Sequence, residues 1–474
     1  MKSFDLKPTK KNLIEMLEKD SLGRNRAIYR FIGLLLSIED ATTISIDGDW
    51  GSGKTFFVKQ LQLVLEAYNP NSKISENKND IKQIKNSMPI VHKPFFDDIL
   101  DKNPQVVVYY DAWENDDEVD PVLSLIFRIV ESIDKNFNIE IELPDMIKKL
   151  LEILVKNPKI IDKIPVLKNI NLIFSFIKDC KSMIKFNSVL KNQKQNNDLK
   201  QEIKVFLNSL LTKEKSKLII LIDELDRCSP SYAVKMLERI KHYFDDKRII
   251  FVFSTDLSQL THTIKKFYGE GYDSCRYLNR FFDLRLKLPE VDLEKYCEYL
   301  DFYDDSYFIK ISARQVIKKY KLSLRQINRF YKLLKISTFN ILEKKFTMEI
   351  YVSFINPIAI ALSIIDINKY NDFISGNNSI PLIDLLEYLY NGKYKNEIKK
   401  KFFTQEEFSS MNDTSIYLKL QEIFEKIYKA VFVENYIEND MFNFNHKTKE
   451  LIQNSLNLLS DLSYFEEQEE NIAF

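Results

Sequence analysis

The stretch GDWGSGKT, Gly48–Thr55, decides how the rest of the sequence is read. The chain has nine glycines in 474 residues, yet Gly48, Gly51 and Gly53 fall within six positions, with Lys54 and Thr55 directly behind them. The stretch fits G-x-x-x-x-G-K-[ST]. It lies between an apolar, β-rich run, TISID (Thr43–Asp47), and a segment of helical period, FFVKQLQLVLEAY (Phe56–Tyr68). Glycines let a backbone wrap closely, so that successive N–H groups point inward at phosphate oxygens at the positive end of the following helix. The implied ligand is a nucleoside triphosphate. Gly51, Ser52 and Gly53 would supply backbone donors, Lys54 would span the β- and γ-phosphates, and Thr55 would place its hydroxyl on Mg²⁺. Gly48, Trp50 and Phe56 complete the segment expected to bind the nucleotide, ATP in the simplest reading.

A second motif supports the first. LIILIDELDRC (Leu218–Cys228) is an apolar strand ending in Asp223 and Glu224, with Asp226 and Arg227 after them. A buried strand that ends in carboxylates is expensive unless the charges meet a cation, and Mg²⁺ fits. Asp223 is expected to hold the magnesium through its water shell, and Glu224 to orient and deprotonate the water that attacks the γ-phosphate. Asn77-Lys78-Asn79-Asp80 reads as N-K-x-D, a guanine-selecting signature, but it lies ahead of the acidic strand and not at a strand end, so we read it as coincidence.

Outward from these motifs, five strand-like runs punctuate the first 290 residues: TISID, QVVVYY (Gln105–Tyr110), KLIILI (Lys217–Ile222), IIFVFS (Ile249–Ser254) and DLRLKL (Asp283–Leu288). Most are continuously apolar, as strands covered on both faces are, and helical patterns separate them. The expected fold is α/β, a doubly wound parallel sheet of the P-loop NTPase type. The expected division is a helical N-terminal segment (1–41), the core (42–292) with a helical insertion at about 119–211, and an all-α C-terminal region (293–474). The polar stretch Asn69–Asn86 is expected to be a surface loop.

Lys plus Arg equals Asp plus Glu at 69 each, so no net field draws the whole molecule to nucleic acid or an anionic membrane. Cys180, Cys228, Cys275 and Cys297 are far apart, which argues against zinc and a disulfide framework and suggests a reducing compartment. The N-terminus has no signal-peptide pattern, and a cytoplasmic location is expected. The longest uncharged run, Ile350–Ile365, carries Asn356 and Pro357 and reads as a core helix instead of a membrane span.

GDWGSGKT, DAWEND (Asp111–Asp116), IDELDRCSP (Ile222–Pro230), the long segment between the latter two and DSLGRNRAI (Asp20–Ile28) together resemble the KAP family of P-loop NTPases, over roughly Asp20–Leu334. The resemblance implies an ATPase acting as a switch or motor in a homo-oligomer or a complex with co-encoded proteins; bacterial members often sit in antiphage systems. It implies that FSTDLSQL (Phe253–Leu260) puts Thr255 and Asp256 where a γ-phosphate is sensed. It further implies that Arg280, in RYLNRFFDLRLKLP, is an arginine finger reaching a neighbouring subunit, and that Arg325, in SLRQINRFYKLL, leans over the phosphates, with Arg329 second. Many members carry transmembrane helices in the insert. Here the candidate stretch has only nine uncharged residues, between Lys168 and Lys178, so no integral membrane segment is expected. Glu224 stands where an aspartate is common in the family.

Lys310–Lys335 holds nine basic residues and no acidic one, interleaved with Tyr320, Phe330 and Tyr331. Contact with nucleic acid is one reading, and a nucleotide-sensing, solvated helix is the favoured one. Two other functions stay open: a kinase passing the γ-phosphate to an acceptor, for which no acceptor pocket or arginine-rich lid can be located, and a scaffold that uses ATP only for assembly.

Overall fold

The structure, a computed structural model, describes residues 7–88, 98–100, 102–116, 121–138, 201, 205, 211, 216–244, 246–300, 307–339, 346–392, 394–433, 436, 444 and 448–456. Most of the expected helical insertion therefore lies outside the described residues. The chain divides into two compact units, one spanning Lys7–Val291 and the other running from Asp292.

In the first unit all five expected strands form and pair in parallel: β1 (Thr42–Asp47), β2 (Val106–Asp111), β3 (Leu218–Asp223), β4 (Ile249–Thr255) and β5 (Leu284–Lys287), in the order β2-β3-β4-β1-β5. Every residue of β3 and β4 is buried, as is β2 up to Asp111, which is why these runs are continuously apolar. Burying each such Val, Ile or Phe contributes about 1.5–3 kcal/mol. The edge strand β5 alternates half-buried and exposed residues.

Between the strands run α3 (Lys54–Ala67), α5 (Pro121–Asn136), α6 (Pro230–Tyr243) and α7 (Leu257–Tyr268), preceded in the chain by α1 (Lys10–Glu18), α2 (Asn25–Ser37) and, after α3, α4 (Lys78–Asn86). Lys217, just before β3, is buried and donates from Nζ to the carbonyls of Leu35 (2.8 Å), Leu36 (3.1 Å) and Ile38. It closes the C-terminal end of α2 with a positive charge and ties that helix to the sheet.

The expectation of a loop over Asn69–Asn86 is corrected. The stretch contains a 3₁₀ turn, Lys73–Glu76, and α4. The helix is polar except for a narrow stripe, with Ile84 fully buried, and it packs on α1 and α3. Asn77 starts it: its side-chain oxygen accepts from the N–H groups of Asn79 (3.1 Å) and Asp80 (3.3 Å). The N-K-x-D tetrad is thus a helix cap, which accounts for its residue types without a base to recognise.

Every regular element among the described residues of the second unit is a helix. The apolar run forms all but the first turn of Phe346–Ile365, which by length and composition alone could cross a membrane, yet 83% of its most apolar 18-residue window is buried. Asn356 is buried there and donates to Ser337 Oγ at 2.9 Å. In the basic stretch, Phe330 and Tyr331 belong to the core and cannot stack on bases. Lys319 is paired with Asp384 at 2.6 Å and Arg314 with Glu294 at 3.4 Å.

Candidate nucleotide site

The parallel register lines up one polar row at the C-terminal edge of the sheet. Asp111 pairs with Asp223, Asp223 with Ser254, and Asp47 with both Thr255 and Lys287. β2 and β3 are apolar until the aspartate that closes them, and β1, β4 and β5 also end in polar residues, so the polar groups gather at one edge. That edge also holds the switch point of the topology, because the chain leaves β1 for β2 on one side and passes from β4 to β5 across it on the other.

The loop of Gly48–Gly53 springs from β1 and needs its glycines. Gly51 has φ 76° and Gly53 φ 88°, both left-handed, where a Cβ is strained. Gly53 caps α3, and the ladder of that helix begins with Phe57 N–H donating to Gly53 O at 3.1 Å. The N–H groups of Lys54, Thr55 and Phe56 are therefore first-turn donors without intrahelical partners, the arrangement that binds anions. The Phe56 ring is buried in the core, leaving only its backbone to face a ligand. Ser52 Oγ donates to Asp49 O at 2.6 Å, and Lys54 Nζ donates to Gly48 O at 2.6 Å and Asp49 O at 3.2 Å, holding the ammonium over the loop.

Across the edge, Thr55 Oγ1 lies 3.4 Å from Glu224 Oε1. Asp223 is completely buried, and burial raises its pKa; the hydroxyls of Thr55, Ser254 and Tyr109 pull the other way. Tyr109 donates to Oδ2 at 3.1 Å, but Oδ1 takes no hydrogen bond of proper geometry. A buried carboxylate with one unanswered oxygen beside the Thr55 hydroxyl fits a divalent cation, whose charge would offset the desolvation. Among the described residues no three His, Cys, Asp or Glu side chains are grouped to hold a metal by themselves. A cation here would rest on Thr55, Asp223 and the oxygens of a phosphate.

Glu224 sits at φ 63° and ψ 23°, a left-handed conformation rare outside glycine and one that functional sites accumulate. Its pKa is pushed up to about 7, first by burial, with Asp223, Asp111 and Asp226 adding to the rise and Arg227 opposing it. Arg227 Nε lies 2.5 Å from Glu224 Oε2, and its guanidinium carbon is 5.9 Å from the Trp50 ring centre and 5.4 Å from that of Trp113. Asp226 joins the loop to β4, accepting from Trp50 Nε1 at 2.6 Å and from Thr255 Oγ1 at 3.0 Å.

The remaining expected residues are placed less centrally. The Thr255 hydroxyl is committed to Asp226, and the Asp256 carboxylate caps α7 by accepting from the N–H groups of Ser258 and Gln259. Arg280 is exposed and lines a recess with Thr42, Thr43 and Ile249, at the N-terminal edge of the sheet. Six strand residues, roughly 20 Å, separate that edge from the loop. Arg280 therefore does not reach the phosphate loop of its own chain. Arg325 is exposed in the first turn of the helix Leu324–Phe339 of the second unit, and Arg329 follows it on that helix.

Tyr109, Asp111 and Arg227 join the site without having been singled out from sequence. The acid that ends β2 in DAWEND mirrors the one that ends β3, and that was the available signal. The adjacency of the two strands, which gives it meaning, is a property of topology alone.

A model of the KAP family P-loop domain matches residues 8–341. No curated protein matches the chain. Among solved structures it is similar to the Aeropyrum pernix ORC2 protein, described as ADPNP-ADP complexes, at 12% identity and a TM-score of 0.33, covering 92% of this chain and 94% of that one.

Proposed function

The chain belongs to the KAP family of P-loop NTPases, and we propose that it hydrolyses ATP in a Mg²⁺-dependent reaction and uses the turnover as a conformational switch within a multi-subunit assembly. The observation that carries this reading is the meeting, at one sheet edge, of a helix-capping glycine loop and an acidic pair, with Thr55 Oγ1 3.4 Å from Glu224 Oε1. Gly51, Ser52, Gly53 and the first turn of α3 bind the triphosphate through backbone N–H groups, and Lys54 adds a positive charge. Thr55 and Asp223 would hold Mg²⁺, which when bound neutralises phosphate charge. Glu224, poised near neutrality by burial, takes the proton of the attacking water. Thr255 and Asp226 tie the loop to β4, so that loop position and acid position are linked.

The assembly, and the antiphage role that the family resemblance implies, belong to the same proposal. Arg280 serves it from the far edge of the sheet, where it faces a neighbouring copy's nucleotide, and Arg325 is assigned to nucleotide sensing. The test is phosphate release from Mg·ATP by the purified chain in the absence of any acceptor. Steady release is expected. Release that appears only with an acceptor, which then carries the labelled phosphate, would make the chain a kinase instead.

A further inference from the structure

We propose that Arg227 is the positioning residue for Glu224, and that Trp50 and Trp113 form the clamp that fixes its guanidinium. The inference rests on the assignment of Glu224 as base and adds how that base is aimed. Glu224 is not held by its own backbone surroundings. It follows β3 in a left-handed conformation that opens the 3₁₀ turn Leu225–Arg227. That turn brings Arg227, three residues later, back onto Oε2 at 2.5 Å as an ion pair outside hydrogen-bond geometry, which leaves Oε1 directed at Thr55 and the phosphate loop. A carboxylate gripped by one oxygen presents the other in a defined direction, which a base needs to meet a water in line with a phosphate.

The guanidinium itself has two aromatic neighbours. Trp50 lies within cation–π distance of the guanidinium from the phosphate loop, and Trp113 from the turn after β2. Both rings are about half exposed, 51% and 53%, so neither is there to fill a core. Each is also anchored by its own segment. Trp50 Nε1 donates to Asp226, while Asp116, three residues after Trp113, accepts from the N–H and hydroxyl of Ser229. The Trp50 side of the clamp belongs to the loop that holds the triphosphate, so loop geometry is transmitted to the base through Arg227. A planar guanidinium is suited to such a clamp and an ammonium is not.

The decisive experiment is a double-mutant cycle on Mg·ATP turnover, with binding measured separately. Arg227→Ala is expected to lower kcat by roughly 10²-fold with the affinity for Mg·ATP unchanged. In a Glu224→Gln background the same change is expected to make less than about a twofold difference, because Arg227 acts through the base. Arg227→Lys should recover little, and Trp113→Ala, at an exposed site that threatens no core, should fall between Arg227→Ala and the wild type. Trp50 and Trp113 are the only tryptophans in the chain, so the intrinsic emission should shift in Arg227→Ala whatever the turnover.

An equal loss in both backgrounds, or a fall in affinity matching the fall in rate, would overturn the assignment by making Arg227 an independent contact. Unchanged emission would overturn the clamp while leaving the ATPase reading intact. Absence of turnover in the wild-type chain would overturn both.

Discussion

Glu224→Gln is expected to lower phosphate release by about 10²- to 10⁴-fold while the chain still takes up Mg·ATP and accumulates in the ATP-bound state. The amide keeps the shape of the side chain and can still face Thr55, but it accepts no proton. The loss corresponds to about 3–5 kcal/mol of transition-state stabilisation. Binding should survive, because the groups assigned to the phosphates are the loop amides, Lys54 and Thr55. Single-turnover phosphate release with labelled ATP checks both halves. A Glu224→Gln protein that turns over at the wild-type rate would remove Glu224 from the chemistry. Asp226 would be the next candidate by position, but its two oxygens already serve Trp50 and Thr255, so the base would have to come from elsewhere.

The second large effect concerns Arg280. Arginine fingers contribute about 10³- to 10⁵-fold in rate, and Arg280→Ala is expected to lose a factor of that order in the assembled protein. Arg280 and the phosphate loop occupy opposite edges of one parallel sheet, so the effect has to arise between chains. Mixing Arg280→Ala with Lys54→Ala should therefore restore part of the activity that each lacks alone, since one interface then pairs an intact arginine with an intact nucleotide site. Turnover of Arg280→Ala at the wild-type rate, or no restoration on mixing, would remove Arg280 from the mechanism.

What could be read from the sequence follows from where the physics is local. The phosphate loop is legible because left-handed backbone at positions 51 and 53 demands glycine, and a following helix demands its own period. The central strands β2, β3 and β4 are legible because a sheet covered on both faces leaves continuous apolar runs closed by polar residues. Asn69–Asn86 misled because its helix buries little beyond Ile84 and advertises mainly polarity; its one clear signal, the cap at Asn77, is shared by loops.

The parts of the site that stayed hidden depend on neighbours far apart in the chain. Tyr109 reaches Asp223 across 114 positions, and Trp50 reaches Asp226 across 176. Nothing in the local spelling of IDELDRC announces that Glu224 adopts a left-handed turn or that Arg227 folds back onto it near two tryptophans. The same holds for Arg280, whose separation from its own nucleotide loop follows only once β1 and β4 are known to be parallel neighbours.

The proposed ATPase function depends on the loop at Gly48–Thr55 gripping a triphosphate. Calorimetric titration of Mg·ATP into the wild-type chain and into Lys54→Ala, each first shown to be folded by thermal melting, measures that grip. One saturable site in the wild type, weakened at least about tenfold in Lys54→Ala, is the predicted result, since about 1.4 kcal/mol of lost charge contact suffices for that factor. No heat of binding in the wild type, or equal affinity in the two proteins, would contradict it.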